Sequence, residues 1–90
     1  MQSTATTRLT VEDAATLSAM SITELIRVRR LAATGAARAL RLDAGLSLSE
    51  MAEAAQVHKT TICRWETGSR RPRGEAARRY LATLEELERR

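Results

Sequence analysis

Apolar residues recur every three or four positions from residue 22 onward, and this period predicts helices rather than strands. Ser21 and Glu24 form a capping-box pattern before the first stretch, so we predict a helix from Ile22 to about Ala44. Thr34-Gly35 is either a break in this helix or a tolerated weak point. The predicted core stripe consists of Ile22, Leu25, Ile26, Leu31, Ala32, Ala36, Ala39 and Leu40.

The next part of the chain predicts two short helices joined by a tight turn at Gln56-Val57. The first spans about residues 48–55 and is capped by Ser47 or Ser49. Its predicted core residues are Leu48, Met51, Ala52 and Ala55. The second helix spans about residues 59–67, and Gly68 is a natural end for it.

A last helix follows a basic loop over residues 69–73. Pro72 prevents a continuous helix through this loop, so the last helix begins near Gly74 and ends near Leu87. Its apolar stripe is Ala77, Tyr80, Leu81, Leu84 and Leu87. Because sixteen alanines favour helix and no alternating Val/Ile/Thr run suggests a strand, we predict an all-α fold. The predicted architecture is a compact bundle of about four to five helices, with an extra N-terminal helical segment.

The first twenty residues differ in character from the rest. Residues 1–9 are rich in Ser and Thr, and Thr10-x-x-Asp13 resembles a capping signal for a short helix over about residues 11–19. We therefore divide the chain into a flexible or short-helical extension over residues 1–20 and a helical domain over residues 21–90.

Positive charge is concentrated in one part of the chain. The net charge is +4, yet residues 58–79 alone carry seven basic residues against two acidic ones, or +5. Arginine outnumbers lysine fourteen to one, and its guanidinium suits contacts to phosphate and guanine. A basic surface on the second short helix and the loop after it indicates a polyanionic partner.

The residues before and after the Gln56-Val57 turn form a specific sequence pattern. They are Leu46-Ser47, Glu50-Met51-Ala52, Val57, Thr61-Ile62, Arg64-Trp65-Glu66, Gly68 and Arg70-Arg71-Pro72. Over about Arg38–Pro72 the chain thereby resembles the lambda-repressor-like, or Xre/Cro-type, helix-turn-helix family, with the motif at about residues 47–67. The resemblance implies that Glu66 pairs with an arginine of the preceding helix, for which Arg41 is the candidate. Gln56, where the family usually has glycine, and Leu48, where it often has a polar residue, depart from the pattern.

The resemblance also implies which residues meet DNA. Lys59, Thr60 and Arg64 are the implied base-contacting residues. Because arginine and lysine most often donate to O6 and N7 of guanine, we expect a half-site that contains guanine. Cys63 is either a small half-buried residue or an apolar contact to a thymine methyl group. Expected phosphate contacts are Ser47, Ser49, His58, Thr61, Thr67, Arg41, Arg70, Arg71 and Arg73. Alternatively, the polar face of the second short helix and the basic loop over residues 69–73, called the arginine loop below, are surfaces that contact only solvent.

These residues predict a sequence-specific double-stranded DNA-binding transcriptional regulator, a small Cro- or repressor-like protein of bacterial or phage type. The alternative is an antitoxin or an excisionase-like architectural protein that acts with a protein partner bound to the N-terminal segment. We expect no enzyme activity, catalytic residue, metal site or cofactor, because there is one His, one Cys, no nucleophile elbow and no acidic cluster. With no signal-like start or long apolar run, we expect a cytoplasmic protein that associates with the nucleoid when bound to DNA.

We expect a homodimer, because one recognition helix contacts too few base pairs to select a site. Two apolar stripes could form the interface. The last helix offers Tyr80, Leu81, Leu84 and Leu87, and the N-terminal stretch offers Leu17, Met20, Ile22 and Leu25. The alternative is that both stripes pack on the core of their own chain.

Overall fold

The computed structural model describes residues 20–90, which contain helices and no strand. The five helices are α1 (Ile22–Ala33), α2 (Ala36–Asp43), α3 (Leu48–Ala55), α4 (Lys59–Thr67) and α5 (Gly74–Glu88). The all-α helical bundle predicted from the sequence is confirmed. The predicted short helix over residues 11–19 lies outside the described residues.

The predicted long helix is broken into α1 and α2 at Thr34-Gly35. The Thr34 hydroxyl donates a hydrogen bond to the Arg30 carbonyl oxygen (2.9 Å), which closes the last turn of α1. Gly35 then adopts φ 88°, a left-handed conformation that glycine reaches without steric cost. Of the two alternatives for this dipeptide, the break is correct, and α1 becomes a separate helix ahead of α2.

Local signals fix the motif helices. Ser47 is the cap of α3: its Oγ accepts from the Glu50 N–H (3.0 Å), and its own N–H donates to Glu50 Oε1 (2.8 Å). Gln56 ends α3 in the left-handed region, at φ 57° and ψ 47°, where the resembled family usually has glycine. The turn therefore forms without glycine, although a side chain is disfavoured in this conformation.

The core lies where the five helices meet, and α2 contributes Ala37 to it. Ala52 is buried, as a close crossing of α3 and α4 requires, and Ile62 and Trp65 of α4 face inward beside it. The Trp65 ring packs on Tyr80 of α5, with ring centroids 4.8 Å apart. The other fully buried apolar residues include Val28, Met51, Ala55, Ala77 and Leu84.

The predicted core stripe of α1 is partly wrong. Leu25, Val28 and Ala32 form the inward face, whereas Ile22 is 69% and Ile26 52% exposed. At 3.6 residues per turn, the two isoleucines lie roughly 90–130° around the helix from that face. Ala39 of α2, assigned to the same stripe, is also exposed, because the break at Gly35 gives α2 its own orientation.

The apolar stripe of α5 belongs to the core of its own chain. Tyr80, Leu81 and Leu84 are at most 2% exposed, and Leu87 is half-buried against the same cluster. Of the two alternatives for this stripe, packing within the monomer is therefore correct, and the expected dimer surface on α5 is wrong. No helix among residues 20–90 combines the length and apolar character needed to span a bilayer.

Candidate nucleic-acid interface

Helix α4 is held at its start by a cap and along one side by the core. His58 is the cap, and its Nδ1 accepts a hydrogen bond from the Thr60 N–H (3.1 Å). Ile62 and Trp65, one turn apart, anchor the inward side. The opposite side therefore has a fixed orientation toward solvent.

The outward side of α4 carries most of the predicted base-contacting residues. Lys59, Thr60 and Arg64 are exposed, as is Thr67 in the last turn. Cys63 is half-buried, which fits its description as a small residue at the edge of the core. The fold thus brings these side chains together on one surface.

The predicted pair between Arg41 and Glu66 is confirmed. Arg41 Nε and Nη2 donate to the two carboxylate oxygens of Glu66 at 2.7 and 2.9 Å, and Nη1 donates to the Leu46 carbonyl oxygen at 2.8 Å. The side chains of Arg41 and Glu66 are only 8% and 5% exposed. Hydrogen bonding to Glu66 raises the pKa of the Arg41 guanidinium, against the opposing effect of burial. These three hydrogen bonds join α2 to α4 and to the loop that precedes α3.

Tyr80 brings an unsatisfied group into this core. Its hydroxyl is buried and has no hydrogen-bond partner among residues 20–90. Burial raises the pKa of Tyr80, and the nearby Glu66 carboxylate adds to the shift, so the phenol stays protonated.

A basic groove of 580 Å³ runs alongside α4. Its lining residues come from α1, from α4 and from the loop after α4, and are Arg29, Thr61, Arg64, Trp65, Gly68, Ser69, Arg70, Arg71 and Arg73. Five of these nine are arginines, and none of the lining residues has a carboxylate. Several guanidinium groups with no carboxylate among them form a site for negatively charged groups.

Several other arginines in residues 20–90 already bind carboxylates or carbonyl oxygens of the protein. Arg27 pairs with Glu85 and Glu88, and Arg78 pairs with Glu75. Arg79 donates to the carbonyl oxygens of Ala55 (3.0 Å) and Gln56 (3.2 Å), which caps the end of α3. The basic residues over 58–79 therefore fall into two groups, those bound within the protein, Arg78 and Arg79, and those that face solvent. The solvent-facing group is Lys59, Arg64, Arg70, Arg71 and Arg73.

The expected phosphate-contacting residues lie in different places. Arg70, Arg71 and Arg73 line the groove together with Thr61. Ser47 caps α3, and Ser49 is exposed in the first turn of that helix.

The structure also brings in two residues that the sequence analysis missed. Ser69, the first residue of the loop over residues 69–73, lines the groove and donates to the Arg64 carbonyl oxygen (3.4 Å), and its place directly after Gly68 could have suggested it. Arg29 comes from α1, and only the fold brings it here. The sequence hints at this location only through the position of Arg29 at the edge of the inward face of α1.

No group of three or more His, Cys, Asp or Glu side chains that could hold a metal ion occurs in residues 20–90. Residues 35–88 match the family model described as a helix-turn-helix domain, which covers α2 to α5 and more than half of the chain. Comparisons with curated proteins and with solved structures gave no match. The chain therefore belongs to the helix-turn-helix domain family, which indicates a DNA-binding regulator.

Proposed function

We propose that this protein is a sequence-specific double-stranded DNA-binding transcriptional regulator of the small Cro- or repressor-like type, with α4 in the major groove. The observation that carries the proposal is the two-sided character of α4. Ile62 and Trp65 anchor one side, and Lys59, Thr60 and Arg64 occupy the other. A helix held in this way can present side chains to base edges without a further change in the fold.

The base contacts follow from the chemistry of the outward side. Arg64 can donate two hydrogen bonds to O6 and N7 of one guanine, and Lys59 favours the same acceptors. Thr60 can donate or accept, and the small side chain of the half-buried Cys63 suits a thymine methyl group. A half-site that contains guanine is therefore expected.

Phosphate contacts around α4 would fix its register. Thr61 and the arginines line the groove beside α4, and Thr67 lies at the end of the helix. At the starts of α3 and α4, Ser47, Ser49 and His58 offer a hydroxyl or ring N–H. Three of the five N–H groups of Arg41 are bonded inside the protein and its side chain is only 8% exposed, so it can offer a phosphate at most the two that remain. Its main role is to hold α4 in place.

Replacement of Lys59 or Arg64 by Ala should relax specificity while leaving the fold intact, because both side chains are exposed. We expect each variant to lose about 1–3 kcal/mol of binding free energy on the preferred duplex and much less on random duplex. Fluorescence anisotropy on both duplexes at one salt concentration measures the difference. Equal losses on the two duplexes would show that these residues contact phosphates alone.

We also propose that the protein binds its site as a homodimer, since one recognition helix contacts only a few base pairs. The α5 stripe is unavailable for this contact, and the large apolar residues that remain exposed among residues 20–90 are Ile22 and Ile26 of α1 and Leu42 of α2. Sedimentation velocity of the protein, free and on a full-length site, should show two copies per duplex. A single copy in both conditions would rule out the dimer. It would favour the antitoxin or excisionase-like alternative, in which a different protein partner completes the site through the N-terminal segment.

A further inference from the structure

Arg29 belongs to a helix outside the matched helix-turn-helix region, yet it lines the basic groove. The family match begins at residue 35, and α1 ends at Ala33. Val28 and Ala32 of α1 are buried in the core that the helix shares with the motif. The orientation of α1, and with it that of Arg29, is therefore fixed relative to α4.

The Arg29 side chain is held by one bond and has further donors to offer. Its Nε–H donates to the Pro72 carbonyl oxygen (2.9 Å), and Pro72 is itself fully buried. Within the part of the chain that the structure describes, neither η nitrogen has a hydrogen-bond partner or an ion pair. A guanidinium fixed through Nε presents its remaining N–H groups in a planar fork, which matches two oxygens of a phosphate.

No carboxylate of the protein lines the groove around Arg29, so its guanidinium is available to an anion from outside the protein. Its neighbour Arg27 is neutralised by Glu85 and Glu88 of α5. The groove that Arg29 lines contains four more arginines and no acidic residue. Because Thr61 and Arg64 connect this groove to the outward side of α4, an anion bound there would lie beside whatever α4 contacts.

We propose that the groove binds a phosphate of the DNA backbone next to the bases contacted by α4, and that Arg29 donates to this phosphate through its η nitrogens. The phosphate-binding chemistry follows from the groove alone, whereas DNA as the source of the phosphate rests on the proposed function. Helix α1 then extends the DNA interface beyond the family domain. The Nε bond to Pro72 additionally orients the arginine loop toward the same phosphate.

The test compares three variants with the unmodified full chain: Arg29→Ala, Arg29→Lys and, as a matched control, Arg30→Ala. Arg30 is the next residue of α1, is exposed and does not line the groove. Duplex binding is measured by anisotropy over a range of KCl concentrations, on the preferred and on random duplex. Circular dichroism and the urea midpoint of each variant show that it is folded. In parallel, inorganic phosphate is titrated at constant ionic strength while the emission of Trp65, the single tryptophan, is followed.

Arg29→Ala should weaken binding to both duplexes and reduce the slope of log K against log salt by about 0.9, the value for one phosphate contact. Arg29→Lys should retain most of the slope because it keeps the charge, and Arg30→Ala should match the unmodified protein. A slope unchanged in Arg29→Ala would overturn the proposal, and so would equal reductions in Arg29→Ala and Arg30→Ala. A purely loop-holding role would raise Kd at every salt concentration without changing the slope.

The phosphate titration separates the source of the anion from the site itself. A saturable response to free phosphate that Arg29→Ala abolishes, with an unchanged DNA slope, would make the groove a site for a small phosphorylated ligand and overturn the DNA contact. If the unmodified protein bound no duplex at all, the proposed function would fail. The groove would still stand as a phosphate site if this titration saturated in the unmodified chain and not in Arg29→Ala.

Discussion

Trp65→Ala is expected to lower the free energy of unfolding by about 3–5 kcal/mol. The Trp65 side chain is 5% exposed and packs against the buried Tyr80 ring, so its removal leaves a cavity between α4 and α5. A small domain has a total stability of about 5–15 kcal/mol, and those of this size lie toward the low end. The variant should therefore be largely unfolded at 37 °C, which urea denaturation followed by circular dichroism can measure.

Trp65→Phe is the matched control, because it keeps an aromatic ring against Tyr80 and should remain folded. Trp65 also lines the basic groove, so base stacking is the competing explanation for this residue. A Trp65→Ala protein with unchanged stability and strongly reduced DNA affinity would contradict the structural role and favour stacking.

Glu66→Gln should cost a similar amount, about 3–5 kcal/mol, for a different reason. It removes the charge that neutralises Arg41, whose guanidinium is almost completely buried. An unpaired buried charge is strongly destabilising, whereas an exposed pair contributes about 1 kcal/mol or less. Urea denaturation of Glu66→Gln, with Glu75→Gln in the exposed pair to Arg78 as the control, measures the contrast.

A double replacement distinguishes loss of the charge from loss of packing. Removal of both charges in Arg41→Met with Glu66→Leu should recover much of the stability, because buried pairs can be replaced by apolar residues of similar volume. A Glu66→Gln protein as stable as the Glu75→Gln control would show that the buried pair is not important for the fold.

The motif helices were predictable because their signals are local. Ser47 with Glu50 begins α3, and Gly68 ends α4, each through hydrogen bonds or backbone conformation within a few residues. The Arg41–Glu66 pair joins residues far apart in sequence, and it was predicted through the family resemblance. Periodicity alone would not have found it.

The inward face of α1 was harder to predict, since Ile22 and Ile26 are as apolar as Leu25 and Val28. Which of the faces is buried depends on how α5 and α4 pack against the helix, and the sequence of α1 contains no local record of that packing. The same limit applies to Arg29, which reaches the Pro72 carbonyl oxygen across more than forty residues of sequence. Long-range packing determines both the inward face of α1 and the position of Arg29, so residue spacing alone could not predict them.

Selection of duplexes from a random pool by the unmodified protein is the most direct test of sequence-specific binding through α4. The Kd for the enriched duplex is then compared with that for a scrambled duplex of equal length at the same salt concentration. We predict an enriched site that contains guanine and is bound at least about 10³-fold more tightly than the scrambled duplex. A pool that shows no enrichment, or equal affinity for the two duplexes, would contradict sequence-specific recognition by this protein.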